Sequence, residues 1–575
     1  MWGRLAVCGV LSGALVAVLV FPFAALAGLA VGALDPGVVQ LPAALRHPWT
    51  PRTSYLYAAD GRTLITAFYY ENRRDVPLSA VAPVMRQAMV AAEDARFYQH
   101  GGVDPRSVVR AFVANDKAGA TRQGASTITM QYVRNVLKED PTLTPQQRVD
   151  VTADTPARKL REMRYAIALE QTMSKQDILG RYLNIAYFGS GAYGIYAAAR
   201  TYFSTTPDRL TLPQAALLAG LVQSPDTYDP VHGDRAAALV RRGYVLNALR
   251  KTGAISAAQA DQARAQPLRL AVSAEPDDCA SIDDPHNDWG FFCDYFHRWW
   301  DAQPAFGATP QDRDDALNQG GYRIVTSLDP GIQATALNQS LAVYGYGVAR
   351  ALPLAVVQPG TGRVLAMAVN RRYSLAENPR DRDYPNTVDQ LVAAGGGVDG
   401  YQAGSTFKMF TMLAALESGR PLSTSFNAPA RFVSRWPGEG PGTCGGRWCP
   451  GNDNPPWMDG TRSMWTGYGR SVNTYFVWLE QQVGPAKVVA MAQRLGVRLR
   501  SQGDATMAST RAGDWGSFTL GVAQTSPLDL ANAYATVAAD GVYCAPLPVL
   551  SITTPDGRRL PAAAPSCRRA VSADV

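Results

Sequence analysis

The first charged residue after Arg4 is Asp35, and the thirty residues between them, LAVCGVLSGALVAVLVFPFAALAGLAVGAL, are apolar or small throughout. A helix needs about 20 such residues to cross a bilayer. The run is too long for the apolar core of a signal peptide, although its ALA and GLA tripeptides offer small-residue cleavage sites. It predicts an uncleaved single-pass anchor over residues 1–34, with Arg4 and the α-amine inside and the rest of the chain exported. Pro22 can kink such a helix, which membranes tolerate.

After an extended entry, SYLYAADGRTLITAFYYENRRDVPL, the period becomes helical. Val84, Ala88 and Ala91 recur on one face, and Gly101-Gly102 ends the pattern. Glu93-Asp94 fall near the end of this helix, just before Phe97-Tyr98. GASTITMQYVRN (124–135) reads as a small-residue turn rich in hydroxyls, followed by Gln131 and Arg134. KEDPTLTPQQRVDVTADTPA (138–157) is polar and carries proline, which predicts a mobile loop over a groove or, equally, a solvated insertion. RKLREMRYAIALE (158–170) predicts a helix on which Arg158, Arg161 and Glu162 can share a face. The segment 179–203 holds Gly189, Gly191 and Gly194, expected to be close-packed or to line a cleft. Two further helical stretches complete a mainly helical domain over residues 35–270.

Residues 271–320 change character, with the acidic, aromatic stretch CASIDDPHNDWGFFC, and read as a junction or a small inserted subdomain within a linker region over 271–345. LPLAVVQPGTGRVLAMAV (352–369) predicts two strands joined by PGTG. Strands and helices then mix over 346–575, which indicates an α/β domain. In YQAGSTFKMFTMLAALESG (401–419), Ser405 and Lys408 stand three residues apart at the start of an apolar helix, so their side chains share a face. A lysine held beside a serine and partly desolvated can act as its base. Taken alone, the spacing fits a capping serine with a solvated lysine equally well. Ser471-Val472-Asn473 follows further along, in GRSVNTYFVWLEQQVG.

The net charge of +7, the pI near 9.0 and the five histidines come with no long basic run. Nucleic acid is therefore not an expected partner, whereas weak attraction to an anionic membrane surface is compatible with this balance. Cys8 lies in the apolar run, and the other six cysteines fall in three close sequence pairs. Six cysteines allow fifteen connectivities. Proximity favours Cys279–Cys293, Cys444–Cys449 and Cys544–Cys567, and disulfides agree with export. CGGRWC has too few residues between its cysteines for a zinc site, and no dedicated metal cage is expected.

EDARFYQHGGVD, GASTITMQ, RKLRE and ILGRYLNIAYFGSGAYG occur in this order within residues ~60–255. They resemble four successive motifs of the bacterial peptidoglycan glycosyltransferases, the lysozyme-like domains of bifunctional class A penicillin-binding proteins. The resemblance implies that Glu93 is the general base for a sugar hydroxyl of the acceptor lipid II. That oxygen would attack the anomeric carbon of the growing glycan strand with inversion. The departing polyprenyl diphosphate would be met by Arg134, Arg158 and Arg161. Ser126 and Gln131 would hydrogen-bond the donor, and Glu162 would organise the leaving-group side. Met130 stands where the family has a second glutamine. His100 is expected to hydrogen-bond within its motif. No cofactor is obligatory, though glycosyl transfer leaves room for a divalent cation.

The S-x-N element Ser471–Asn473 normally accompanies S-x-x-K in penicillin-interacting enzymes, and LGVAQTSPLDLANAYATVAADGVYCAP is similar to a class A transpeptidase segment. By that resemblance Ser405 attacks the D-Ala-D-Ala carbonyl of a peptidoglycan stem peptide and Lys408 takes its proton. Ser471 then relays a proton to the leaving amine, while Asn473 orients the substrate amide. β-Lactams would acylate Ser405 if the domain is complete. Lys251-Thr252-Gly253 spells the third signature of these enzymes, but it precedes Ser405 and joins two helical patterns, with Gly253 as a stop and Ser256 as an N-cap. It is a decoy.

No K-T-G follows Cys567. The expected architecture is therefore multidomain: a transmembrane helix, a mainly α lysozyme-like glycosyltransferase domain, and a transpeptidase-like α/β domain lacking its last strands in a piece of a longer protein. Two other readings are a glycosyltransferase with an inactive acyl-transfer domain and a lysozyme-like glycan hydrolase. A third is a non-catalytic penicillin-binding sensor.

Overall fold

The computed structural model describes residues 40–110, 126–282, 284–375, 390–394 and 399–575. The expected anchor lies outside them, and among the described residues no helix is long and apolar enough to cross a membrane. The chain divides into two compact units, one of Met1–Ser54, Phe68–Glu275 and Leu317–Gly321, the other of Tyr55–Ala67, Pro276–Ala316 and Tyr322–Val575.

The first unit is helical. Helix α1, Pro83–Glu93, opens on a proline, whose missing N–H is no loss at a first helical position, and buries Met85, Ala88 and Met89. Helix α2, Ile128–Lys138, is capped by Thr127, whose Oγ1 accepts from Met130 N at 3.2 Å. It begins inside the hydroxyl-rich stretch expected to be a turn, so Gln131 and Arg134 stand one turn apart on a helix. The predicted loop 138–157 is corrected too: it contains α3, Pro145–Thr152. Thr144 and Gln147 close a capping box around its first turn, with Gln147 N donating at 3.3 Å and Thr144 N at 2.9 Å. None of its residues is buried, which is why its composition looked loop-like.

Helices α4 (Pro156–Glu170), α5 (Lys175–Ile185), α6 (Gly194–Phe203), α7 (Leu212–Leu221) and α8 (Arg235–Lys251) follow. Helix α7 is buried continuously from Ala215 to Leu221 and packs against α1 and α8, while α2 packs against α4 and α5. Of the three glycines leading into α6, Gly189 and Gly194 are close-packed: an added Cβ would come 2.8 Å from the Tyr202 hydroxyl at the first and, at φ 79°, 2.5 Å from the Asn184 carbonyl oxygen at the second. Gly191 has open space around it. The decoy segment lies between α8 and α9 (Ala257–Ala265), with Gly253 at φ 74° and Ser256 capping α9.

In the second unit, β1 (Ser54–Tyr57), β2 (Leu64–Phe68), β3 (Arg323–Thr326) and β6 (Val549–Thr553) form a sheet in the order β6-β3-β1-β2. β3 runs parallel to β1 and antiparallel to β6. Helix α10 (Trp289–Asp301) buries Phe292, Phe296 and Trp300. The PGTG hairpin is present, pairing β4 (Leu354–Val357) with β5 (Val364–Ala368), and α11 (Pro330–Val343) packs on β5. A second core gathers Phe407, Phe410, Phe476, Leu479 and Val488 from α12 (Lys408–Glu417), α13 (Asn473–Val483), α14 (Pro485–Arg494) and the turn before α12. Helix α15 (Pro527–Ala538) packs on β4. The three expected disulfides form, with Cα–Cα distances of 5.5, 5.6 and 4.0 Å in chain order.

Candidate active sites

In the first unit, α2 addresses two carboxylates from successive turns of one face. Gln131 donates from Nε2 to Glu93 Oε2 at 2.9 Å, and Arg134 donates from Nε to Glu162 Oε1 at 3.0 Å and from Nη2 to Oε2 at 3.4 Å. Glu162 is 1% exposed and also accepts from Arg158 Nη1, one turn earlier on α4. One buried carboxylate thus faces two guanidinium groups, and Arg158 also reaches the exposed Asp154 carboxylate at 3.1 Å. Ser126 joins the same cluster, its Oγ 3.4 Å from Arg134 Nη2. Arg161 does not: it donates to the Asp150 carbonyl of α3 at 3.3 Å. The shared face expected of Arg158, Arg161 and Glu162 therefore holds for two of the three.

Glu93 ends α1 with its carboxyl nearly buried, and burial raises its pKa above the usual carboxylate range. The Gln131 hydrogen bond and the Arg241 guanidinium, 3.7 Å from Oε1, oppose that rise, and neighbouring Asp94 adds to it. A carboxylate raised in this way is a stronger base than an ordinary one, which suits general-base work. Asp94 has a separate task. Its carboxylate pairs with His100 Nε2 at 2.9 Å and accepts from Ile128 N, the first amide of α2, at 3.2 Å. It thus places a negative charge at the N-terminus of the helix that holds both glutamates. His100 has the hydrogen-bonding role expected of it. Met130, at the position of the missing glutamine, is 1% exposed and packs in the core.

In the second unit, Ser405 is exposed on a single 3-10 turn, Gly404–Phe407, and Lys408 follows with 1% exposure. The turn is held from beneath: Gly404 N donates to the Gly521 carbonyl at 3.1 Å, and at φ 70° an added Cβ on Gly521 would come 2.0 Å from Gly404. Lys408 Nζ lies 2.9 Å from Ser405 Oγ, 2.9 Å from Ser471 Oγ, 2.6 Å from the Ser471 carbonyl and 2.6 Å from Asn473 Oδ1. Ser471 presents two oxygens to one ammonium, and its backbone is left-handed, at φ 54°. Burial lowers the Lys408 pKa to about 8, with the Asp453 charge opposing. A lysine so shifted has a neutral fraction able to take a proton from Ser405. Asn473 is engaged at both ends, since its Nδ2 donates to the Gly451 carbonyl at 3.0 Å.

Sequence reasoning assigned Gln131 to the donor, whereas its observed partners are Glu93 and the Tyr182 hydroxyl, 2.7 Å from Oε1. Tyr182, Arg241 and Gly451 were missed. A tyrosine on the buried side of a mixed helix and an arginine in a basic one do not announce their tertiary partners, and a carbonyl contact announces none at all. Among the described residues no group of three or more His, Cys, Asp or Glu is arranged to hold a metal ion.

The transglycosylase family matches residues 60–250, and the penicillin binding protein transpeptidase domain matches residues 354–567. The chain is 30% identical over 511 residues to penicillin-binding protein 2D of Bacillus subtilis (strain 168), covering 89% of this chain and 65% of that protein. It is 31% identical over 525 residues to penicillin-binding protein 1A of Mycobacterium tuberculosis, covering 89% and 57%. With penicillin-binding protein 1A of Escherichia coli (strain K12) the identity is 29% over 589 residues, covering 87% and 65%. The chain thus spans between 57% and 65% of the length of these relatives. With a transglycosylase domain ahead of a transpeptidase domain, the chain belongs to the class A penicillin-binding proteins.

Proposed function

We propose that this protein is a bifunctional peptidoglycan synthase, polymerising lipid II in its first unit and cross-linking stem peptides in its second. The observation that carries the reading is the split address of α2, with Gln131 on Glu93 and Arg134 on Glu162. A base and a cationic leaving-group site then stand one helical turn apart. Glu93 takes the proton of the acceptor hydroxyl as its oxygen bonds to the anomeric carbon. The bond to the polyprenyl diphosphate breaks with inversion, and the released charge faces Arg134 and Arg158. The reading calls for no resident metal, since the guanidinium groups supply the cations.

In the second unit, neutral Lys408 accepts the Ser405 proton as Oγ bonds to the D-Ala-D-Ala carbonyl carbon. The terminal D-Ala leaves as its amine takes a proton through Ser471. An amine of a neighbouring stem then displaces Ser405 and forms the cross-link. β-Lactams acylate Ser405 by the same attack. The apolar run at residues 5–34 supports a single-pass anchor in a bacterial membrane. Three disulfides support catalytic units outside the cytoplasm.

The test uses the full chain in detergent with lipid II and a fluorescent penicillin. Glu93→Gln should abolish polymer and keep penicillin labelling, and Ser405→Ala should do the reverse. Release of sugar from finished glycan without polymer from lipid II would replace the first half of the reading with hydrolysis.

A further inference from the structure

Tyr182, on α5, is completely buried, and its hydroxyl donates to Gln131 Oε1 at 2.7 Å. A primary amide has one accepting end and one donating end. With a donor on Oε1, the Nε2 end is turned to Glu93 and donates to Oε2 at 2.9 Å. A flipped amide would set an oxygen against the carboxylate and leave the tyrosine proton facing N–H groups. Glu93 Oε1, by contrast, is enclosed but has no hydrogen-bond partner among the described residues, and its nearest described cation is Arg241 Nη2 at 3.7 Å.

We propose that Tyr182 and Gln131 form a positioning relay that commits Glu93 Oε2 to the protein and leaves Oε1 as the atom that receives the acceptor's proton. The inference deepens the glycosyl-transfer reading and rests on it. Gln131 becomes a residue that aims the base rather than one that holds the donor. The tyrosine hydroxyl acts at one remove, so it is a positioning residue and never touches substrate. Among the described residues, the titratable groups around Glu93 are Asp94 on the same stretch, Arg241 on α8 and Tyr182 on α5, with Arg134 on α2 acting on Tyr182. Helix α7, also packed against α1, contributes no titratable side chain.

The experiment is the pH profile of lipid II polymerisation by the full chain. Glu93 works deprotonated, so its titration sets the acidic limb. The Gln131 hydrogen bond holds that titration down, so releasing the amide raises it. Tyr182→Phe keeps the ring and removes one oxygen. It should move the acidic limb up by about one pH unit and lower kcat by about tenfold, with KM for lipid II unchanged. Gln131→Met should do the same, and the double variant should be no worse than Gln131→Met alone, because both changes break one relay. An unmoved limb in Tyr182→Phe, or losses that multiply in the double variant, overturns the relay. Should Tyr182→Phe not fold, Gln131→Met decides alone, and an unmoved limb there is equally fatal. Glu93→Gln in the same assay separates the two levels: persistent polymerisation in that variant defeats the glycosyl-transfer reading itself, whatever Tyr182 does.

Discussion

Asn473 accepts from Lys408 Nζ at 2.6 Å, which places the S-x-N asparagine and the S-x-x-K lysine in direct contact across two helices. With Ser405 and both Ser471 oxygens, four acceptors surround one ammonium that has three protons. The arrangement aims the lysine at its serine, but only the neutral amine can act as the base.

The acylation rate of Ser405 should therefore rise with pH through a midpoint of about 8, where burial has placed the Lys408 titration. The Asp453 charge raises that titration, so Asp453→Asn should shift the midpoint downward and speed acylation at pH 7. Stopped-flow trapping with a fluorescent penicillin between pH 6 and 10 reads both. A pH-independent rate, or a midpoint that rises in Asp453→Asn, would remove Lys408 as the base.

The loop that meets Asn473 is stapled. Gly451 accepts from Asn473 Nδ2, and the disulfide Cys444–Cys449 closes the chain two residues earlier, with Cys449 N bonded to the Gly442 carbonyl at 2.8 Å. Opening the staple loosens one end of the asparagine amide. The Cys444→Ser/Cys449→Ser variant should lose about 1 kcal/mol of transition-state stabilisation in acylation, roughly fivefold in rate. Polymerisation of lipid II should stay at the parent level. Equal acylation rates in variant and parent would show that the Gly451 contact is idle.

Removing one partner of a buried ion cluster costs more than the cluster contributes. Arg134→Met leaves Glu162 with Arg158 alone and takes a cation from the leaving-group side. We expect polymerisation to fall by at least about a hundredfold, with a loss of about 3 kcal/mol in the stability of the first unit. Arg134→Lys should fall between, because an ammonium cannot span both carboxylate oxygens. Adding Glu162→Gln to Arg134→Met should recover stability without activity. Recovery of both would mean that the cluster is structural only.

The parts of the sites that local pattern can encode were legible in the chain. Ser405 and Lys408 meet because i and i+3 face one way on a helix, and Glu93 ends an amphipathic helix whose period is plain. What escaped was tertiary. Nothing near Tyr182 says that its hydroxyl reaches Gln131, 51 residues away, and nothing near Asn473 points to Gly451. The helix at Pro145–Thr152 escaped for a different reason: its T-P-Q-Q start is a capping box, but with no buried face it offered no apolar period to notice. Arg161 misled because three residues within one turn of a helix can still diverge, and α3 supplied it a nearer acceptor.

Glu480 carries the last prediction. It lies on α13, the helix that begins with Asn473, and it is fully buried with no well-formed hydrogen bond at either oxygen among the described residues. Burial holds its pKa far above the usual range, and the Thr519 backbone amide and the Arg435 charge oppose this only in part. The folded protein therefore keeps a proton that the unfolded chain releases near pH ~4.3. Between that pH and the raised native value the folded state binds more protons, so this group makes stability fall as pH rises. Glu480→Gln or Glu480→Leu should make the second unit more stable than the parent at pH 7.5, by about 1–3 kcal/mol, with the advantage shrinking towards pH 4. Thermal melts across pH 4–8 measure it. Parent and variant curves that run parallel over that range would show that the carboxyl is satisfied by a partner which titrates with it, and the buried-acid account of α13 would fall.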